Sequence, residues 1–225
     1  MDADFALIPD IDHNMRRISI AEKGALFLKV VSHGRQAHGS TPEKGINAAW
    51  NLVEFLHGVS ALPAAAGDEL FSPPTRNLGM LAAGSAPNIV PARAEAQLDF
   101  RFLPGQSADQ IEAALREIAA RVQARSPGAH FTFERVMMVD PIRVDPGHPL
   151  VQRLQNCAAE VNGVRPELTG LSGSTVAKPL VRNGIMAVGF GPGDDSQAHA
   201  ANESIAIDDL AAFARILGRF LLKEG

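Results

Sequence analysis

The sequence predicts an α/β protein in which a ferredoxin-like β-α-β-β-α-β sandwich is inserted into a second, partial α/β layer. Two observations carry this. Between residues 24 and 139 strand-type and helix-type periods succeed one another in the order β-α-β-β-α-β, the pattern of a split βαβ sandwich. After a Pro-rich turn region, "DPIRVDPGHP" at 140–149, the pattern changes to helix, Gly/Ser loop, short helix, strand, loop and final helix. That tail has too few strands to be a domain. The apolar run "ADFALIPD" at 3–10 supplies one more. The expected division is therefore 1–22 with 140–225, and 23–139 between them.

Each element has a local reason. "GALFLKVVSHG" (24–34) is a Val-, Leu- and Phe-rich strand bounded by glycines. "TPEKGINAAWNLVEFLHGV" (41–59) has helical period, with Ile46, Ala49, Val53 and Leu56 on one face. "RNLGMLAAG" is a strand. In "ARAEAQLDFRFLP", Ala94, Ala96, Leu98 and Phe100 alternate with Glu95, Gln97, Asp99 and Arg101. "SADQIEAALREIAARVQAR" (107–125) is a helix with Ser107 as N-cap and Ile111, Leu115, Ile118 and Val122 as its stripe. "HFTFERVMMV" (130–139) is a strand. The final helix has Asp208 as a cap and Leu210, Phe213, Leu217 and Phe220 as its expected buried face.

Composition narrows the function classes. With 225 residues and 46% hydrophobic content the chain can bury a real core. A net charge of -4 argues against a nucleic-acid or polyanion binder. The single cysteine, Cys157, allows no internal disulfide and suits a reducing compartment. The N-terminus lacks a basic, apolar signal pattern, and no apolar run is long enough to span a bilayer. The expectation is a soluble, cytoplasmic protein.

Three stretches could carry chemistry. Asp10 follows an apolar strand, with Asp12 and His13 behind it; it is either a solvated turn acid or a hard-oxygen metal ligand. His38 stands in the Gly/Ser/Thr/Pro loop "SHGRQAHGSTP", where a scaffolded loop can present it. "GFGPGDDSQAHAANESI" fails as a dinucleotide turn, because residue 194 is Asp and no helix begins there. It delivers His199 instead, and one imidazole is not a zinc site. Glu203 is either a partner of that ligand or a helix-start acid.

Together "DFALIPD", "GRQAHGSTPEKGINAA", "APNIVPARAEAQLDFRFLPG" and "GIMAVGFGPGDDSQAHAANESI" resemble a two-zinc family. It is the amidohydrolase and metallopeptidase family of aminoacylase, acetylornithine deacetylase, succinyl-diaminopimelate desuccinylase and carboxypeptidase G. The resemblance implies a lid, or dimerisation, domain set into a zinc-hydrolase catalytic domain. It implies that Asp10 binds one zinc and His199 the other, with cobalt as an alternative metal. It further implies that His38 reaches from the lid into the partner subunit's site and polarises the scissile carbonyl. Asn88 and Arg101 become candidate contacts for a substrate carboxylate.

"GSTVAK" (173–178) stands where relatives have an Asp and then an Arg, so Lys178 takes the basic place. An ammonium cannot grip a carboxylate with the two-pronged geometry of Arg. The family's H-x-D and adjacent Glu-Glu motifs are absent from this sequence. The chain is therefore expected to be the C-terminal portion of such an enzyme, with incomplete metal sites. The implied function is cleavage of an amide in an N-acyl amino acid or small peptide, by a homodimer formed through the lid. The competing expectation is a catalytically incompetent dimerisation or binding module.

Overall fold

A computed structural model describes residues 3–10, 13–63, 65–197 and 201–222, the side chain of residue 195 excepted. In chain order the strands and helices begin with β1 (Phe5–Ile8), β2 (Arg17–Glu22), β3 (Gly24–His33), β4 (Ala37–His38) and α1 (Ala48–Ser60). Then come β5 (Thr75–Ala83), β6 (Ile89–Val90), β7 (Arg93–Phe102), α2 (Ala108–Arg125) and β8 (His130–Val139). The chain closes with β9 (Ile142–Arg143), α3 (Pro149–Asn162), β10 (Glu167–Leu171), α4 (Ala177–Arg182), β11 (Met186–Gly189) and α5 (Ile207–Leu222). Two compact units result. One holds residues up to Lys23, Asp68–Phe71 and those from Pro141; the other holds Gly24–Gly67 and Ser72–Asp140. The structure is thus mixed α/β. None of the described helices is long and apolar enough to cross a membrane.

The unit that begins at Gly24 is built on a four-stranded antiparallel sheet in the order β5-β7-β3-β8. β7 shows why. Its even residues Ala94, Ala96, Leu98, Phe100 and Phe102 are buried, while the odd ones stay half-exposed or exposed. The buried row meets Leu26, Leu28 and Val30 of β3 in one core with Leu52 and Phe55 of α1 and Leu115 and Ile118 of α2. Both helices therefore lie on the same face of the sheet. α2 begins as its sequence requires, with a capping box: the Ser107 hydroxyl accepts from the Gln110 N–H and the Gln110 side chain from the Ser107 N–H.

α1 departs from the expected boundary. Pro42–Lys44 is a separate single turn, and the helix starts after Asn47, whose Oδ1 accepts from the N–H groups of Ala49 and Trp50. Starting there turns its inner face to Ala48, Leu52, Phe55 and Val59, and leaves Val53 exposed. A capping amide with two orphan N–H groups to satisfy outweighs a proline-led start.

Glu112 of α2 links helix and sheet. Its carboxylate accepts from Arg116 one turn on and from Arg135 of β8. Burial pushes its pKa up, but the hydrogen bonds and charges of the two guanidinium groups outweigh that and hold it below the ordinary value. A depressed folded pKa stabilises the fold above the unfolded glutamate pKa, and that stability is lost as pH falls through the folded value. Glu112→Gln should therefore cost roughly 1 kcal/mol at neutral pH and less near pH 3, below the unfolded glutamate pKa. Urea titrations at the two pH values check this.

In the other unit the sheet runs β1-β11-β2-β10, with β9 added on β2. β1 is parallel to β11 and β10 to β2. Alternate residues of β1 and β11 serve opposite layers. Phe5, Leu7, Met186 and Val188 pack with α3 and α5, whereas Ala6, Ile8 and Ala187 pack with Ala177 and Leu180 of α4. In α5 the buried residues are Ala212, Ile216 and Phe220, and Leu210 faces out. Of the expected face, Phe220 is buried and Phe213 packs partly buried against the same core, while Ala212 and Ile216 are buried more deeply than their neighbours Phe213 and Leu217.

Candidate functional site

His38 is held by a braced surface loop. The chain leaves β3 at His33 and returns to α1 at Ala48, and the two ends are tied by paired backbone hydrogen bonds between Arg35 and Ile46. Gly34 is required there: a Cβ would sit 2.0 Å from the Ile46 carbonyl oxygen. The next residues form β4, antiparallel to β6, with His38 opposite Ile89. The Gly39 N–H donates to the Asn88 carbonyl at 2.8 Å. His38 and Asn88 are thus brought side by side, both exposed. The Nδ1 of His38 lies 2.7 Å from the Ser40 hydroxyl and 3.1 Å from the Ser40 backbone nitrogen. Ser40 is a site residue that motif reading missed; its signal was its place two residues after the histidine in a tight turn.

Arg101 stands apart from that pair. It is near the other end of β7, opposite Ala25, while the His38 loop adjoins the Arg93 end. Arg101 lies eight residue steps along the strand from Arg93, roughly 26 Å. Its guanidinium makes a two-pronged contact with Asp99, at 2.8 and 3.1 Å, and lies over the Phe27 ring.

Lys178 is buried, and its ammonium donates to the Lys23 carbonyl at 2.5 Å. Around it the "GSTVAK" stretch is pinned by Glu22. That carboxylate accepts from the Thr175 N–H at 3.0 Å and from the Thr175 hydroxyl. Lys23 itself is buried with its ammonium 6.0 Å from the Phe71 ring centroid. Desolvation lowers its pKa, against an opposing pull from Asp68. Neither Glu22 nor Thr175 was singled out from sequence. Both sit in segments without alternation, where only the fold shows which groups meet.

Asp10 is exposed, two residues beyond the end of β1, where the Phe190 N–H donates to the Ile8 carbonyl. His13 pairs with Asp194 in an isolated antiparallel bridge. Asp194 is held below the usual carboxylate range, chiefly by the Ser196 N–H. These groups lie at the C-terminal end of the parallel β1–β11 pair, where α/β sheets gather ligands. His199 lies outside the described residues. Zinc needs three or four donors, and among the described residues no group of three His, Cys, Asp or Glu side chains could hold a metal ion. The described donors therefore do not fit zinc by themselves, and no chemical step is assigned to a metal in this chain.

Comparison with known proteins shows what the chain is similar to. Residues 20–127 match the peptidase dimerisation domain, M20_dimer. The chain is 29% identical to an acetylornithine deacetylase of Myxococcus xanthus over 88% of its own length and 52% of the relative's. It is 26% identical to a succinyl-diaminopimelate desuccinylase of Paracoccus denitrificans over 91% of its length and 53% of the relative's. The chain thus spans about half the length of these relatives. Its fold is that of the aminopeptidase PepT from Bacillus cereus, with a TM-score of 0.83 at 23% identity, covering 98% of this chain and 57% of that one. Residues 20–127 are thus an M20 peptidase dimerisation domain, and the chain as a whole is similar to the C-terminal portion of acetylornithine deacetylases and succinyl-diaminopimelate desuccinylases.

Proposed function

We propose that this chain is part of a metal-dependent amidohydrolase or peptidase that cleaves an amide bond in an N-acyl amino acid or small peptide. In this reading residues 23–139 are a ferredoxin-like lid and dimerisation domain. Residues 1–22 and 140–225 belong to the catalytic domain, to which Asp10 and His199 each bring one zinc ligand. The observation that carries the reading is the match to the dimerisation domain together with the His38 turn at its surface. His38 offers a ring to a carbonyl oxygen. A fixed donor placed where an oxyanion develops contributes about 3–4 kcal/mol in comparable sites.

The remaining candidates divide by position. Asn88 stands beside His38 and is free to meet the same substrate. Arg101 is too far along the sheet to share one amino-acid-sized ligand with them within a single copy. The two can serve substrate only if His38 and Asn88 act in the partner subunit's site and Arg101 acts elsewhere. Lys178 reaches a substrate only if the "GSTVAK" stretch opens, since its ammonium is turned onto Lys23.

Neither H-x-D nor Glu-Glu occurs in this sequence. The purified chain should therefore retain no stoichiometric pair of zinc ions and should show no turnover. Elemental analysis and assays on N-acyl amino acids and small peptides test this. Robust zinc-dependent hydrolysis by this chain alone would overturn the assignment of incomplete metal sites. A second reading, a dimerisation module without catalysis, is favoured by one observation: the whole of edge strand β5 is exposed. Dimerisation without turnover is common to both readings. A His38→Gln variant that loses binding of an N-acyl amino acid would favour the hydrolase part.

A further inference from the structure

Among the described residues the His38 ring is engaged on one side only. Both polar contacts go to Nδ1, from the Ser40 backbone nitrogen at 3.1 Å and the Ser40 hydroxyl at 2.7 Å. A backbone N–H can only donate. Nδ1 must therefore present a lone pair to it, because a proton on Nδ1 would meet the Ser40 N–H donor against donor. The hydroxyl can donate or accept, so it accommodates either tautomer and the backbone N–H makes the choice. A neutral imidazole with a bare Nδ1 carries its proton on Nε2.

This is the reverse of the common arrangement, in which a carboxylate or carbonyl takes the Nδ1 hydrogen. There, Nε2 is left as an acceptor, suited to binding a metal or removing a proton. With Ser40 on Nδ1, the outward nitrogen is a donor and can do neither. The loop keeps it so. The Thr41 N–H donates to the His38 carbonyl at 3.0 Å, and the Gly39 N–H is fixed on Asn88, so Ser40 is carried back under the ring.

We propose that Ser40 is a positioning residue that holds His38 as a neutral Nε2–H donor, selecting a carbonyl or oxyanion acceptor rather than a metal or a proton. The role of that donor in catalysis rests on the hydrolase reading above; the tautomer does not. The test is histidine nitrogen-15 NMR on the full chain, above the ordinary histidine pKa, with His38→Gln identifying the resonances. The expected result is a pyridine-type Nδ1 and a protonated, pyrrole-type Nε2. Ser40→Ala loses the hydroxyl but keeps the N–H that can only donate, so the Nε2–H tautomer should remain in excess, and a nitrogen–nitrogen coupling across the hydrogen bond should join the residue 40 amide to Nδ1. Ser40 is exposed, so this variant keeps the fold. A protonated Nδ1 in the parent chain or in Ser40→Ala would overturn the proposal. The measurement needs no turnover, so failure of the hydrolase reading in the zinc and activity assays is scored separately.

Discussion

Leu81→Asp should leave the chain monomeric under conditions in which the unmodified chain should dimerise. β5 is an edge strand of nine residues, all exposed, with Leu78 at 44%, Met80 at 61% and Leu81 at 55%. A long apolar edge with unpaired N–H and C=O groups invites another strand. Its one charged residue, Arg76, is turned away onto the carbonyls of Ser60 and Leu62. The opposite edge, β8, differs: it carries Glu134 and Arg135 at its middle, and Arg135 is committed to Asp109 and Glu112. Charges there disfavour pairing, so β5 is the better candidate for a two-fold contact in which two copies pair antiparallel into one eight-stranded sheet.

In such a dimer every substitution occurs twice. At about 2 kcal/mol for each buried aspartate, the loss is about 4 kcal/mol, roughly a thousandfold in dimer dissociation constant. Light scattering after size exclusion measures it, with Val136→Asp on β8 as the control that should stay dimeric. A Leu81→Asp protein that remains a dimer, or a parent that is monomeric, would remove β5 as the interface.

Phe55→Ala should cost about 3–5 kcal/mol in the unit that carries His38. Phe55 is fully buried, with its ring 5.4 Å from that of Phe131 and 6.0 Å from that of Phe133. It joins α1 to the sheet within the core that also holds Leu28, Leu52 and Leu115. Deleting the ring leaves a cavity that rigid strands on one side and α2 on the other cannot close. Against a typical total of about 5–15 kcal/mol for a domain, this brings the unit near unfolding. The single tryptophan, Trp50, is 71% exposed and reports little of the core. Amide exchange is the better readout: protection of β3, β7 and α2 should collapse, while that of α3 and β11 should not.

The elements legible in the sequence are those with one wet face and one dry face. β7 and α2 announce themselves because polar and apolar residues alternate with the period of the backbone, and Ser107 and Gln110 close a cap within four residues. β2 was not legible. Its residues from Ile18 to Glu22 are all buried, between β11 and β10, so no alternation marks it and its Ser19 and Glu22 look like loop residues. The Gly/Ser stretch 169–175 reads as a loop for a similar reason, yet its first three residues end β10: Gly170 is needed where the Phe71 ring lies 2.3 Å from a would-be Cβ. The start of α1 and the inner face of α5 depended on which side met a neighbour, which the helical period alone leaves free by one position.

The same division runs through the site. Sequence by itself determined the residue types and their order: Asp10 after an apolar strand, His38 in a glycine-rich loop, and the dimerisation-domain pattern around them. Those are properties of local spacing, and local spacing survives in a linear text. Only the tertiary structure decided that Arg101 stands a strand's length from His38, that Lys178 turns inward onto Lys23, and that a serine amide faces Nδ1. Each depends on groups from separate turns or segments meeting within hydrogen-bond range. Such meetings are set by how layers pack, so a donor's direction is written in the fold even where its identity is written in the chain.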